Sequence, residues 1–259
     1  MDGERDTGLA PLRSSPAAVT KAIFKVAAGV FVTPAVRAAV AWHAVPVGTP
    51  WRRACDSCGE LLRYPWMSRA FAPAGRCGAC GHRVAAPGYL VEAAIVVAVA
   101  VLAAVHRPVW ETAAFAWWAA WAIGLAFIDV AVHRLPNRMT YPAAVGTVGL
   151  LGVAALVEHH GHAWIRAILA AGGIALVFAV LALLLGRRGP GLGDAKLMLS
   201  TLAVLGWISW AAVVYGLLVA VTAQGLVAVA LLVAGRRSAR LPMGAFLVAG
   251  ALLSLALVG

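Results

Sequence analysis

Two aspartates lie at the edges of long apolar segments, each beside a motif that interrupts a helix. Asp129 precedes His-Arg-Leu-Pro-Asn at 133–137, and Asp194 directly follows Gly191-Leu192-Gly193. An ionisable side chain at membrane depth is costly, so its presence predicts a functional site. Two carboxyls, one ionised and one protonated, can act as base and acid on the same substrate. The two aspartates therefore predict a catalytic dyad.

The composition indicates a polytopic membrane protein. Hydrophobic residues make up 63% of the 259 residues and charged residues only 12%, which is too little polar surface for a soluble globule. Because about 20 apolar residues span a bilayer, the sequence predicts an all-α fold of about eight transmembrane helices. The predicted helices are 22–45, 88–105, 109–129, 139–157, 163–185, 195–209, 211–234 and 241–258.

The basic residues predict the orientation of these helices. If the helices alternate in direction, one side of the membrane receives the segments 46–87, 130–138, 186–196 and 235–240. That side holds 14 of the 21 Lys and Arg residues, whereas the opposite loops hold only Arg107. By the positive-inside rule the basic side is cytoplasmic, and both aspartates lie at it. Four tryptophans fall at the predicted outer helix ends, where indoles favour the headgroup region: Trp110, Trp164, Trp207 and Trp210.

The net charge of +11 does not indicate a nucleic-acid-binding protein. The basic residues are dispersed among short loops beside the membrane and are not gathered on one face with aromatic residues between them. Residues 1–21 are charged and have no apolar core, so we expect a disordered tail and not a cleavable signal peptide.

All four cysteines lie in the one long polar loop, 46–87. They form two pairs, Cys55-Asp-Ser-Cys58 and Cys77-Gly-Ala-Cys80, with 18 residues between the pairs. This spacing is typical of a tetrahedral four-cysteine zinc site. Two disulfides are the alternative, but a cytoplasmic loop is reducing. A closed shell of four thiolates leaves no position for a substrate, so we expect the zinc to be structural.

Ordinary structural roles are also available to the two aspartates. Asp194 could be a helix cap, because Asp is a good capping residue, and Asp129 could pair with Arg134 near the membrane surface. The macrodipole favours a carboxylate at a helix N-terminus and disfavours one near a C-terminus. On that argument Asp194 is expected to be the ionised base, and Asp129 is expected to hold the shared proton.

The motifs around the aspartates resemble those of the type IV prepilin peptidases, which are GxGD intramembrane aspartyl proteases. The resemblance rests on Asp129 followed by Leu135-Pro136-Asn137, and on Gly191-Leu192-Gly193-Asp194-Ala195-Lys196. The Cys77 to Cys80 segment, Tyr89-Leu90-Val91-Glu92 and Leu241-Pro242-Met243-Gly244 also resemble landmarks of that family. The resemblance implies that Asp129 and Asp194 are catalytic. Residues of the active-site loops are then Pro136, Asn137, Gly191, Gly193 and Lys196.

The same resemblance implies a substrate and a location. The substrate is a membrane-anchored prepilin or pseudopilin of type IV pilus or type II secretion systems, whose short basic leader is cut at the cytoplasmic face of the inner membrane. Longer family members also N-methylate the new terminus, which requires S-adenosylmethionine. Residues 29–37 and the loop 59–76 differ from the family's usual sequence motifs, and both lie in the part of the chain linked to methyl transfer. The implied division of the chain is a tail at 1–21, a first helix at 22–45, a zinc loop at 46–87 and a seven-helix protease domain at 88–259.

Several other residues have two readings. Glu92 could support methyl transfer or lie at the interface with its head in water. His159, His160 and His162 are expected to be solvated, because a metal site would need carboxylate partners. Gly172-Gly173 and the neighbouring alanines predict close helix packing. A transporter or a non-enzymatic adaptor built around the zinc loop remains the alternative function, although no internal repeat typical of transporters is visible.

Overall fold

The computed structural model describes residues 31–46, 48–62, 68–84, 86–186, 191–236 and 241–259. Within this part of the chain, residues 31–43 form a helix, α1. Seven more helices follow: α2 (Leu90–Ala104), α3 (Val109–Val132), α4 (Asn137–Val157), α5 (Gly161–Leu185), α6 (Leu192–Ile208), α7 (Trp210–Val233) and α8 (Met243–Val258). These helices match the eight apolar segments in order and position. The predicted tail at 1–21 and the predicted start of the first helix lie outside the described residues.

Four of the described helices, α3, α4, α5 and α7, are long and apolar enough to cross a membrane. The helices α2 and α8 are apolar but have only 15 and 16 residues, and α6 has 17. At 1.5 Å per residue, helices of this length fall short of a hydrocarbon core of about 30 Å. Eight transmembrane helices therefore remain a prediction, with four candidate spans supported by length and composition.

The helix α6 occupies the centre of the bundle. Most of its residues after Asp194 are buried, and it packs against α3, α4, α5, α7 and α8. Small and aliphatic residues on every side of α6 allow this burial. One polar contact crosses the core, where the Trp118 indole N–H donates to the hydroxyl of Thr201 at 3.2 Å. The centre of the bundle thus carries the GxGD motif at its N-terminal end.

Close approach between helices occurs at glycines other than the predicted pair. A Cβ at Gly206 would lie 2.8 Å from the Cβ of Ala170 in α5, and one at Gly250 would lie 2.5 Å from the carbonyl oxygen of Gly216 in α7. A Cβ at Gly172 or Gly173 would meet no atom within 4 Å. The prediction is wrong for Gly172-Gly173 within this chain, because both face outward from α5, and it is confirmed for the neighbouring Ala170, which faces Gly206 of α6.

The loops gather at two opposite ends of the bundle, as alternating helices require. At one end the guanidinium of Arg134, after α3, donates to the carbonyl of Pro46 at 3.4 Å. At the other end Arg107, before α3, donates to the carbonyl of Gly259 at 2.9 Å. We call these the cysteine-loop end and the opposite end.

The tryptophans at the opposite end divide into two kinds. Trp110, Trp164 and Trp210 are exposed on the outside of the bundle, as a membrane-interface role requires. Trp207 is only 3% exposed. The interface prediction is wrong for Trp207, because this residue packs inside the bundle.

Candidate active site and metal centre

Asp129 lies in the last turn of α3 and is held by the beginning of α8. Its carboxylate is 5% exposed, and its Oδ2 accepts a hydrogen bond from the backbone N–H of Gly244 at 2.8 Å. The next backbone N–H, of Ala245, also faces this carboxylate. The first N–H groups of a helix have no partner within the helix, so the start of α8 supplies donors for a buried anion.

Glycine at position 244 allows this approach. A Cβ built there would lie 3.0 Å from Oδ2 of Asp129 and 3.1 Å from Cδ2 of Leu197 in α6. Pro242 precedes the first turn of α8 in an extended conformation and lacks an N–H group, which a helix start can spare. The Pro-Met-Gly entry therefore brings α8 against both α3 and α6.

Asp194 lies in the first turn of α6 and is half-buried. Its Oδ2 accepts the backbone N–H of Gly191 at 3.2 Å. The N-cap residue is Gly191 and not Asp194, which caps this N–H from the third position of the helix. Gly193 lies inside the first turn, because α6 begins at Leu192 and not at the predicted residue 195. The carboxylates of Asp194 and Asp129 are close enough for their charges to interact. A role as a cap and a role beside Asp129 are thus compatible.

The predicted loop residues come together around Asp194. The ammonium of Lys196 donates to Oδ1 of Asn137 at 2.7 Å, which joins the start of α6 to the start of α4. Pro136 is the N-cap residue of α4. A Cβ at Gly193 would lie 3.2 Å from the Cβ of Leu135, so the Leu-Pro-Asn segment rests directly on the glycine turn.

The sequence pattern did not reveal all the groups that stabilise Asp129 as an anion. From its position near the C-terminus of α3, Asp129 was expected to be disfavoured as an anion. In the structure the N-terminus of α8 also faces Asp129, and its hydrogen bond from Gly244 is shorter than the one Asp194 receives from Gly191. The predicted pairing with Arg134 is also wrong, since within the described residues Arg134 bonds Pro46 and forms no ion pair with Asp129.

The four cysteine sulfurs converge in the loop between α1 and α2. The Sγ atoms of Cys55 and Cys80 are 3.7 Å apart, those of Cys58 and Cys77 are 3.6 Å apart, and all four lie within 4.8 Å of one another. Tetrahedral zinc with bonds of about 2.3 Å separates its sulfurs by about 3.8 Å. A disulfide needs about 2.05 Å between sulfurs. The geometry fits a four-thiolate zinc site and not two disulfides.

The two cysteine pairs share one local fold. In each, the glycine after the second cysteine, Gly59 or Gly81, has a positive φ, 76° or 69°, and donates its N–H to the carbonyl of the first cysteine. The backbone N–H groups of Cys80 and Ala79 lower the pKa of the Cys77 thiol to about 7, whereas the neighbouring thiols raise the pKa of the Cys58 thiol to about 12. A thiol with a lower pKa is more readily deprotonated for metal binding.

The cysteine loop is anchored to α1 and α2. Its core includes Cys55, Cys77 and Phe71, which pack with Ala38 and Ala41 of α1. The buried guanidinium of Arg37 in α1 bonds both carboxylate oxygens of Glu92 in α2 at 2.6 Å. The interfacial reading of Glu92, with its head in water, is wrong, because the side chain is only 16% exposed and pairs with a buried arginine.

A model of the type IV leader peptidase family matches residues 113–234, which contain Asp129, Asp194 and the loops around them. Over this segment, a little under half of its length, the chain is similar to that family. Two relatives bear the name prepilin leader peptidase/N-methyltransferase. The one from Aeromonas salmonicida (strain A449) is 31% identical over 168 residues, which is 60% of this chain and 54% of the relative.

The relative from Dichelobacter nodosus is 32% identical over 152 residues, which is 56% of this chain and 51% of the relative. The chain thus spans about half the length of the curated relatives it matches. No solved structure matches the chain significantly. The start of α8 lies beyond the segment matched by the leader peptidase family, although it contacts Asp129.

The role of Gly244 was not deduced from the sequence. A signal was present, because Leu241-Pro242-Met243-Gly244 resembles the leader peptidases' entry to the last helix. That motif predicts a helix start but not the partner that the helix start contacts. Only the packing of α8 against α3 and α6 supplies the partner.

We expect the four cysteines to bind one zinc ion per chain. Replacing Cys58 and Cys80 together by serine should remove that equivalent, because two of the four ligands are lost. Metal analysis of the purified protein measures the loss, and limited proteolysis of the loop measures its loosening. The control is Asp56→Ser. Asp56 is exposed and offers no thiolate, so this variant should keep the zinc. A wild-type protein free of zinc, with both disulfides formed, would contradict the assignment.

Proposed function

We propose that the chain is an intramembrane aspartyl endopeptidase that removes the short leader of a type IV prepilin or pseudopilin. The observation that carries the proposal is that the carboxylates of Asp129 and Asp194 lie close enough for their charges to interact, within the segment that matches the leader peptidase family. The names of the relatives support prepilins as the substrate class.

The proposed location is the inner, plasma membrane, in which the chain is multi-pass and contacts the lipid bilayer through its apolar helices. Four candidate spans support the membrane location. The basic segments at the cysteine-loop end support a cytoplasmic location for this end of the bundle and its two aspartates. A membrane-anchored substrate would present its leader there.

In the proposed reaction the ionised carboxylate takes a proton from a water, and the water oxygen attacks the scissile carbonyl carbon. The protonated carboxyl donates a hydrogen bond to the carbonyl oxygen as negative charge develops there. The carbon–nitrogen bond then breaks, and a proton passes to the leaving amine. These steps use only the two carboxyls and one water.

We assign the ionised role to Asp129 and the shared proton to Asp194. The N–H of Gly244 lies 2.8 Å from Asp129, whereas the N–H of Gly191 lies 3.2 Å from Asp194. Hydrogen bonds to an anion favour the ionised form. This assignment reverses the one expected from the sequence, because α8 contributes donors that the sequence argument did not include.

The proposal is limited to leader removal. The relatives' names include N-methyltransferase, an activity that would require S-adenosylmethionine. Residues 29–37 and 59–76 differ from the family's usual sequence motifs, and both lie in the part of the chain linked to that activity. Mass measurement of the cleaved product reports both the cut and any added methyl group.

Asp129→Asn and Asp194→Asn should each reduce leader removal by at least about a hundredfold, because an amide keeps the shape of the side chain but cannot exchange the proton. Cleavage is measured by co-expression with candidate prepilins and mass analysis of the product. The matched control is Asp56→Asn, since Asp56 is exposed in the cysteine loop and should leave cleavage unchanged. Substantial cleavage by either active-site variant, at equal membrane levels, would refute the dyad.

Gly244→Ala should lower cleavage by roughly tenfold or more, because its Cβ meets Asp129 and Leu197 and displaces the start of α8. The same experiment with Gly149→Ala provides the control. Gly149 is also a helical glycine, but a Cβ there meets no atom within 4 Å. Equal activity of the two alanine variants would show that the contact between α8 and Asp129 is dispensable.

A further inference from the structure

Three side chains that can bind a metal converge at the opposite end of the bundle, away from the two aspartates. Glu111 lies in the first turn of α3, Glu158 caps α4, and His160 precedes α5. One potential ligand atom from each lies within 4.8 Å of the others. The outer-loop histidines were expected to be solvated, without carboxylate partners, although Glu158 directly precedes His159 in the sequence. The fold supplies two such partners to His160.

The carboxylates of this cluster are buried without enough donors. The Glu111 side chain is 2% exposed. Oε2 of Glu111 and Oε2 of Glu158 are both buried and, among the described residues, have no hydrogen-bond partner. Buried polar groups normally have partners, and a buried charge without one is costly. Oε2 of Glu111 has only the guanidinium of Arg107 at 3.5 Å, so both oxygens retain lone pairs that could bind a cation.

The neighbouring cation does not balance both carboxylates. A guanidinium nitrogen of Arg107 lies 3.5 Å from Oε2 of Glu111, and another nitrogen of the same group donates to the carbonyl of Gly259. This arginine thus pairs with Glu111, one of the two carboxylates. Burial raises the pKa of Glu158, and the charge of Glu111 contributes to the rise. A bound cation would relieve this repulsion.

We propose that Glu111, Glu158 and His160 form a site for a divalent transition-metal ion, with Zn²⁺ as the best fit. Nδ1 of His160 lies 3.3 Å from Oε1 of Glu111 and 3.9 Å from Oε2 of Glu158. Zinc bonds of about 2.0–2.1 Å in a tetrahedral shell place neighbouring ligand atoms about 3.3 Å apart. The first distance already fits, and a small movement of Glu158 would complete the shell.

The surroundings suit a structural ion with one position left for water. His160 is 51% exposed, which provides a route for the ion, while the two glutamates lie behind it. The ring of His160 also lies 6.2 Å from that of Trp207 at the end of α6. An ion at this site would tie the turn between α4 and α5 to the start of α3. This site is independent of the proposed peptidase activity.

The test is zinc binding by the full-length protein in detergent, with metal content measured at buffered free Zn²⁺. Wild type is expected to bind two equivalents, one at the cysteines and one at this site. The second equivalent should remain in Cys58→Ser/Cys80→Ser and be lost in His160→Ala. His160 is half exposed, so its replacement should leave the fold intact. The control is His162→Ala, a neighbouring exposed histidine outside the cluster, which should retain the ion.

Thermal unfolding provides a second measurement. Added Zn²⁺ should raise the Tm of the Cys58→Ser/Cys80→Ser protein, and this rise should disappear when His160→Ala is combined with it, because only the folded site binds the ion. Retention of the zinc equivalent by His160→Ala, or equal loss in His162→Ala, would overturn the proposal. The absence of any zinc equivalent outside the cysteine cluster would also overturn it, and Glu111 and Glu158 would then share a proton.

Discussion

A buried carboxylate needs donors, and the arrangement of α3, α6 and α8 follows from how Asp129 obtains them. Its side chain enters an apolar bundle, where an unpartnered charge would be strongly destabilising. The donor is the backbone N–H of Gly244 at the start of α8. Because position 244 has no side chain, α8 also packs against Leu197 of α6. The contact that satisfies one aspartate thereby fixes the helix that carries the other.

The helix α6 links two ends of the bundle that both hold acidic residues. At the cysteine-loop end its first turn carries Asp194. At the opposite end its last carbonyls accept three hydrogen bonds from the guanidinium of Arg166, which satisfies groups that a helix C-terminus leaves free. Both ends of α6 are therefore held by polar contacts within an otherwise apolar core. This fixed position allows Gly193, in the first turn of α6, to pack against Leu135 beside Asp194.

Sequence patterns predicted the parts of this structure that depend on local chemistry. Apolar runs gave the eight helical segments, and the spacing of the cysteines gave a convergent set of sulfurs, because both follow from residues close together in the chain. The contact between Asp129 and Gly244 joins residues 115 positions apart, and the cluster of Glu111, Glu158 and His160 joins three helix ends. Such contacts depend on helix packing. The same limitation explains why Trp207 and Gly172-Gly173 were misassigned, since periodicity alone does not identify which face of a helix is covered.

The central claim is that Asp129 and Asp194 share one proton. Infrared difference spectroscopy at neutral pH tests it directly, by subtracting the spectrum of each single Asn variant from that of the wild type. The negative charge of one carboxylate keeps the proton on the other, so replacing either aspartate by Asn should release that proton. We therefore expect both differences to contain the same band of one protonated carboxyl. A band present in only one difference, or in neither, would contradict a shared proton.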